Sequence, residues 1–299
     1  MIYGLKATVT YLLGIDCAGR NLHVYPDDTF VVSYPRSGNT WTRFLVANLV
    51  YPDRNVSFAN IEKLIPETLQ SNRTLKRTAR PRFIKSHEYL DLRYPRTIYI
   101  VRDPRDVVLS TYNFRRKCRD IEDDFPLGQF VDDFIAGRPV SGWGTWAENV
   151  ASWIFARRQN DSFLLLRYED MIKDPASELA RVAIFLGIEP DPNRLRRAIE
   201  QSSADRLRGL EKLEEKEWAA SVGFFDRAHT QGRRTDIPFV GAAKSGGWKT
   251  ALPEACVHKI EIAWGDLMTV VGYELVTVGV PQVMRYRAKP FLSAFDLTG

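Results

Sequence analysis

Residues 30–41 decide the fold and read FVVSYPRSGNTW. A short apolar, β-branched run ends at a turn with proline and glycine, and a helical pattern follows, which predicts a strand, a loop and a helix. The first backbone N–H groups of a helix have no intrahelical partner, and the helix dipole adds positive potential there. The loop is therefore predicted to bind an anion that resembles phosphate.

The side chains of this loop also suit an anion. Arg36 supplies a full positive charge, and Gly38 permits close approach of a ligand to the backbone. Hydrogen-bond donors and an aromatic face complete the predicted binding set, which consists of Ser37, Asn39, Thr40 and Trp41. The pattern differs from the common phosphate loop GxxxxGK[ST], because its basic residue precedes the glycine and no lysine follows it.

The composition is that of a globular protein, with 299 residues, 44% hydrophobic and 26% charged. The net charge of +5 is mild, and the basic residues are scattered among acidic ones. This distribution favours a basic pocket for a small polyanion over nucleic-acid binding. The three cysteines are far apart and the four histidines lack zinc-ligand spacing, so reduced thiols and no metal site are expected.

No segment has the length and apolar character of a membrane span, and residues 7–15, the nearest candidate, lack the features of a signal peptide. A cytoplasmic location is expected. No linker divides the chain, so we predict a single domain over 1–299. Within it lie an N-terminal element (1–27), a possible lid loop (203–250) and a C-terminal tail (278–299). The sequence does not predict an oligomeric state.

Strands and helices alternate along the chain. Strands are predicted over 30–33, 82–86, 97–101 and 163–167, and helices over 40–50, 104–116, 129–136, 146–158, 176–186, 192–201 and 253–271. This order predicts an α/β fold with a mostly parallel central sheet flanked by helices. In such sheets ligands bind at the carboxyl ends of the strands.

The second informative segment, FIKSH over 83–87, places Lys85 and His87 on one strand face. A neutral imidazole there is a candidate general base, beside a cation that stabilises negative charge. Glu88 is a weaker candidate for the base, since it points to the other face. The third segment, TIYIVRDPRDVVLS over 97–110, places Arg102 at a strand end and Ser110 two helical turns on. These two residues are predicted to grip one phosphate.

Together these segments resemble the sulfotransferases that use 3′-phosphoadenosine 5′-phosphosulfate (PAPS). Residues 34–41 resemble the 5′-phosphosulfate loop of that family, and 85–87 resemble its K-[ST]-H segment, whose histidine is the catalytic base. Arg102 and Ser110 match the family's 3′-phosphate grip, and Tyr168, in LRYEDM over 166–171, matches a tyrosine near the nucleotide. The resemblance implies a P-loop-like sulfotransferase fold, PAPS as co-substrate and no metal.

The chain departs from the family pattern at several places, which include the unmatched dimer motif between Lys249 and His258. Arg36 replaces the usual loop lysine. The late R-K-G-x-x-G-x-W-[KR] motif reads GAAKSGGWK over 241–249 and lacks the Arg-Lys pair that binds the 3′-phosphate. Lys244, Ser245 and Gly246 are the expected donor-binding residues of this segment, with Arg233 or Arg234 as substitutes for the missing pair. The segment that begins at Ser202 lacks the usual aromatic residue, which leaves adenine stacking to Trp41.

The resemblance and the residue chemistry predict sulfuryl transfer to a hydroxyl or amine of a small, apolar or aromatic acceptor. His87 would take the acceptor proton, while Arg36 and Lys85 neutralise developing charge. The aromatic residues of 112–153 are mostly expected in the core, and Phe224, Phe225 and Phe239 are the better candidates for an acceptor pocket. The alternatives are a carbohydrate or glycolipid acceptor, a magnesium-dependent nucleotide kinase that uses Asp170, and a catalytically silent nucleotide-binding protein.

Overall fold

The computed structural model describes residues 19–140, 142–221, 234, 236–241 and 244–277, without the side chains of 20 and 215–221. Four parallel strands form its sheet: β1 (Thr29–Ser33), β2 (Phe83–Ser86), β3 (Arg96–Val101) and β4 (Phe163–Arg167). Their order across the sheet is β2-β1-β3-β4. The predicted α/β class with a parallel central sheet is confirmed.

Helices connect the strands and cover both faces. In chain order they are α1 (Asn39–Val50), α2 (Ile61–Leu64), α3 (Asn72–Arg77), α4 (Pro104–Lys117), α5 (Leu127–Ile135), α6 (Trp146–Arg157), α7 (Tyr168–Lys173), α8 (Pro175–Leu186), α9 (Pro192–Gln201), α10 (Ala204–Ser221), α11 (Trp248–Ala251) and α12 (Glu254–Val270). Two 3₁₀ turns, Gly19–Asn21 and Arg138–Val140, lie outside these helices.

β1 and β3 are buried on both sides, which explains why most of their residues form continuous apolar runs rather than alternating ones. Phe30 and Val32 of β1 face the core under α4, α5, α6 and α12, whereas Val31 faces the core under α1, α8 and α9. The two clusters sandwich the sheet, so the carboxyl ends of the strands are held on a rigid support.

Local chemistry sets where the helices begin and end. Asp103 caps α4 by accepting a hydrogen bond from the N–H of Arg105, with Pro104 at the first position. Thr145 and Glu148 form a capping box at α6. Gly187, at φ 72°, ends α8 in the left-handed region.

Several elements differ from the sequence-based expectation. A possible lid loop was expected over 203–250, but α10 starts at Ala204 and occupies the first part of it. The short helices α2, α3, α7 and α11 were not predicted, because four to six residues are too few for a helical period to emerge. The expected tail (278–299), most of the N-terminal element and the centre of the expected lid lie outside the described residues.

Candidate active site

The loop between β1 and α1 has a backbone that only a glycine at position 38 accommodates. Gly38 lies at φ 96°, and a Cβ atom there would come within 2.5 Å of the Tyr168 ring. Arg36 also has a positive φ of 67°. Because the capping residue of α1 is a glycine, no side chain caps the first turn of the helix. The first N–H groups of α1 therefore remain available to an anion.

Two polar side chains of the loop have different roles. The Asn39 amide nitrogen donates to the Val31 carbonyl and the Ser33 hydroxyl, which ties the start of α1 to β1. Ser37 is fully buried, and its Oγ has no hydrogen-bond partner among the residues that the structure describes. A buried hydroxyl without a partner is costly, so a ligand oxygen that pairs with it fits this loop.

Arg36 belongs to the loop, and Arg102 contacts the loop from the end of β3. The Arg36 Nε donates to Ser110 Oγ at 3.2 Å, which joins the loop to α4. Arg102, directly after β3, donates to the Arg36 carbonyl at 3.3 Å and to the Lys244 carbonyl at 3.2 Å. The Arg102 guanidinium carbon lies 4.3 Å from the centre of the Tyr168 ring, and its Nη2 lies 4.0 Å from Asp106 Oδ2. The structure thus brings together Arg36, Arg102 and Ser110, which are up to 74 residues apart in sequence.

Asp106 is a site residue that the sequence analysis did not select. It is buried on the first turn of α4 and accepts hydrogen bonds from the backbone N–H of Gly246, at 2.7 Å, and of Trp248, at 3.0 Å. Its carboxylate therefore holds the late glycine-containing segment against Arg102. The sequence contained no signal for this role, because the partners are backbone groups about 140 residues away.

His87 lies just beyond the end of β2, and its Nδ1 is 2.7 Å from the Ser33 carbonyl oxygen. A carbonyl oxygen only accepts, so Nδ1 carries the proton and Nε2 keeps its lone pair. Burial, with the nearby charge of Lys85, lowers the pKa of His87 to about 3; the charges of Arg43 and Arg36 act in the same direction. The ring is neutral at neutral pH, with Nε2 able to accept a proton.

Lys85 is ion-paired rather than free, which the sequence analysis did not anticipate. Its Nζ lies 2.8 Å from Glu67 Oε1, and both side chains are nearly buried. Residues 66–68 run parallel to β2, because the Lys85 N–H donates to the Pro66 carbonyl and Thr68 donates to the Lys85 carbonyl. Glu67 is thus fixed beside Lys85 by backbone pairing and is the second residue that sequence reasoning missed.

Two aromatic residues, Trp41 and Tyr168, lie beside the loop near the end of α9. The Trp41 ring nitrogen donates to the Ser202 carbonyl at 3.0 Å, and Asn48 donates to the Ser202 hydroxyl at 3.0 Å. The Trp41 and Tyr168 rings meet edge to face at 5.9 Å. The structure therefore places the predicted adenine-side residues together, next to the loop.

Some predicted residues lie apart from this cluster. The side chains of Lys244 and Ser245 are exposed, although the Lys244 carbonyl receives Arg102. Arg234 is paired with Asp123 and Asp236. Arg233, Phe224 and Phe225 lie outside the described residues, whereas Phe239 is described and lies 5.2 Å from the Arg36 guanidinium.

Of the aromatic residues expected in the core, Phe130, Phe134, Trp146 and Trp153 are buried, whereas Tyr112, Phe114, Phe125 and Trp143 are only partly buried. In the part of the chain that the structure describes, no three His, Cys, Asp or Glu side chains are grouped to hold a metal ion. Asp170, the carboxylate that a kinase would use, has a side chain 48% exposed and lies 3.8 Å from Arg167. Among the described helices, none combines the length and apolar character that crossing a bilayer requires.

Comparison with known proteins identifies the family of this chain. The model of the sulfotransferase domain matches residues 26–272, which include the loop, His87, Arg102 and the segment bound by Asp106. The chain belongs to the sulfotransferase family. It is an enzyme of the PAPS-dependent sulfotransferase class, as the site residues and the resemblance predicted.

Relatives of known activity are moderately similar to this sulfotransferase. It is 32% identical to the 3-beta-hydroxysteroid sulfotransferase of Cavia porcellus, over 60% of this chain and 66% of that protein. It is 27% identical to sulfotransferase 1A1 of Mus musculus, over 84% of this chain and 87% of that protein.

Solved structures share the fold of this sulfotransferase. Retinol dehydratase, in complex with androsterone and the inactive cofactor PAP, superposes with a TM-score of 0.65 at 22% identity, over 87% of this chain and 85% of that one. A mouse sulfotransferase complexed with PAP superposes with a TM-score of 0.63 at 20% identity, over 84% and 88% of the two chains.

Proposed function

We propose that this sulfotransferase transfers a sulfuryl group from PAPS to a hydroxyl or amine of a small, apolar or aromatic acceptor. The observation that carries the proposal is the neutral, buried His87 at the edge of an anion-binding loop, with its Nε2 lone pair available. The steroid and retinoid names of the compared proteins support an apolar acceptor. A carbohydrate or glycolipid acceptor is the alternative.

The site residues divide into those that would bind PAPS, the sulfuryl donor, and His87, which would accept the proton. The uncapped start of α1, the Ser37 hydroxyl and Arg36 suit the 5′-phosphosulfate, whereas Arg102, Ser110 and the segment at Gly246 suit the 3′-phosphate. The Trp41 ring suits adenine. Tyr168 contacts both the 5′-phosphosulfate set and the 3′-phosphate set, since its ring packs on Gly38 and on Arg102.

His87 Nε2 takes the proton of the acceptor as the acceptor oxygen or nitrogen forms a bond to sulfur. The bond from sulfur to the 5′-phosphate oxygen breaks, and Arg36 and Lys85 offset the negative charge on the leaving group. A sulfuryl group carries less negative charge than a phosphoryl group, so fixed side-chain cations suit this role. For Lys85 to reach the reacting group, its Nζ must be shared with, or released from, Glu67.

A thermal-shift comparison tests donor recognition. Adenosine 3′,5′-bisphosphate is expected to raise the melting temperature, because a ligand of the native state stabilises it by mass action. ATP with magnesium is expected to have little effect. Stabilisation by ATP–magnesium alone would support the kinase and overturn the proposal.

The His87→Ala variant tests the chemistry. Turnover with PAPS and an acceptor from a phenol and steroid panel is expected to fall by about 10²-fold or more, the usual contribution of a general base. Binding of adenosine 3′,5′-bisphosphate should stay nearly unchanged, which serves as the folding control. Normal turnover of this variant would remove His87 from the proposed mechanism.

A further inference from the structure

Arg36 is enclosed by two aromatic rings as well as by the loop that carries it. Its guanidinium carbon lies 4.7 Å from the centre of the Phe114 ring on α4 and 5.2 Å from that of Phe239. The two rings meet each other edge to face at 6.3 Å. The Arg36 Nε donates to Ser110, one turn before Phe114 on α4. Both rings and this hydrogen bond thus help to define the position of the guanidinium.

Phe239 reaches Arg36 because charged groups anchor its segment. The backbone N–H groups of Phe239 and Val240 both donate to the Glu211 carboxylate on α10, at 2.6 and 3.0 Å. Lys117, at the end of α4, donates to the Arg234 and Ile237 carbonyls and lies 3.8 Å from Glu211. Lys117 and Glu211 are nearly buried, so these bonds are shielded from water.

We propose that Phe114 and Phe239 are positioning residues that aim the Arg36 guanidinium, and that segment 236–241 completes the site when Lys117 and Glu211 hold it. This inference rests on the proposed function of Arg36 as a donor contact. An arginine suits the arrangement because its planar, weakly hydrated guanidinium stacks on aromatic faces while its Nε still donates a hydrogen bond. The lysine that is usual in the family at this loop position has no Nε donor.

The test compares two substitutions of Phe239. Phe239→Leu keeps an apolar side chain but removes the ring, and kcat is expected to fall about 2- to 30-fold, the range that one cation–π contact supports. The KM for PAPS is expected to change less. Phe239→Tyr keeps the ring and is expected to restore most of kcat. Phe155→Leu, the same change at an exposed ring on α6, is the matched control and is expected to have little effect.

A double-mutant cycle isolates the contact. In the Arg36→Ala background, Phe239→Leu is expected to cost less than about 2-fold in kcat, because the partner is already absent. An equal cost in both backgrounds would overturn the inference. Arg36→Lys is expected to lose turnover although it keeps the charge; full activity of Arg36→Lys would equally overturn it. If Arg36→Ala itself turns over normally, the donor role of Arg36 fails instead.

An NMR measurement on the protein without PAPS or acceptor tests whether Phe239 positions Arg36, independently of turnover. In the apo protein, the NMR signal of the Arg36 Nε–H, assigned by its loss in Arg36→Ala, should carry a ring-current shift. Phe239→Leu is expected to reduce that shift and Phe239→Tyr to retain it. An unchanged signal in Phe239→Leu would mean that Phe239 does not hold the guanidinium, whatever the kinetics.

Discussion

His87 depends on its surroundings for its protonation state. Burial is the main cause of its lowered pKa of about 3, and the cations Lys85, Arg43 and Arg36 add to it. A histidine with a lowered pKa stays neutral as the pH falls through its usual range near 6.5. An anion bound in the loop offsets the positive charge of these neighbours and should raise the pKa.

We therefore predict two results of a histidine NMR titration. In the free protein, the His87 signal, identified by its loss in His87→Gln, should not titrate between pH 5 and 8. With adenosine 3′,5′-bisphosphate bound, its pKa should be higher. An ordinary titration near pH 6.5 in the free protein would contradict the buried, cation-flanked geometry. The chain has only four histidines, which simplifies the assignment.

The same reasoning predicts the pH dependence of catalysis. Because kcat/KM reports the ionisation of the free enzyme, His87 should produce no acid limb between pH 5 and 7. Lys85→Met removes one of the charges that lower the pKa, so the pKa of His87 should rise in that variant. A pH profile of each enzyme checks this, and an acid limb near 6.5 in the unsubstituted enzyme would contradict the lowered pKa of His87.

At the scale of elements, the first turn of α4 connects two distant parts of the chain. Asp106 binds two backbone N–H groups of the late segment, while Arg102, one turn earlier, binds its Lys244 carbonyl. The segment that lost the family's Arg-Lys pair is thus still fastened to α4 through its backbone.

Substitution of Asp106 by asparagine is predicted to weaken this connection. The asparagine loses the charge and one acceptor, and a hydrogen bond to a charged group is worth about 1.5–3 kcal/mol. The dissociation constant of adenosine 3′,5′-bisphosphate, measured by calorimetry, should rise about tenfold or more. Asp170→Asn, which removes a half-exposed carboxylate, is the control; equal binding by both variants would contradict a role for Asp106.

The elements that the sequence predicted were those with a strong local pattern. β1 and β3 are mostly apolar runs buried on both faces, and the loop after β1 follows from Pro35 and Gly38. The Glu67–Lys85 pair and the bonds of Asp106 were not predictable, because they join segments whose proximity is created by the fold. Likewise, α10 occupies the start of the expected lid loop, where packing of Leu207 overrides a weak local pattern.

At the scale of the whole molecule, a buried ion network joins the site to the C-terminal helix. Arg105 on α4 lies 2.7 Å from Asp103 and 2.6 Å from Glu261 on α12, and it stacks over Trp248 at 3.8 Å. Glu261 also accepts the backbone N–H groups of Val276 and Thr277. The chain after α12 is thus fastened to the helix that follows Arg102.

Removal of one partner of this network should lower the stability of the entire fold. Glu261→Ala is predicted to reduce the free energy of unfolding by about 3–5 kcal/mol, because it leaves Arg105 buried with an incomplete set of partners. Denaturant unfolding measures the change. Asp266→Ala, on an exposed face of the same helix, should stay within about 0.5 kcal/mol. Similar effects of the two substitutions would contradict the importance of the network.

The order of the strands has a consequence for which nucleotides can be told apart. β1 carries the loop, its neighbour β2 leads to His87, and its other neighbour β3 leads to Arg102. Adjacent strands are about 4.8 Å apart, so His87 and Arg102 are separated by a distance that the sheet itself sets. If the proposed function holds, a nucleotide with all its phosphates on the 5′ carbon would reach only one of these two groups, because the rigid sheet fixes the distance between them.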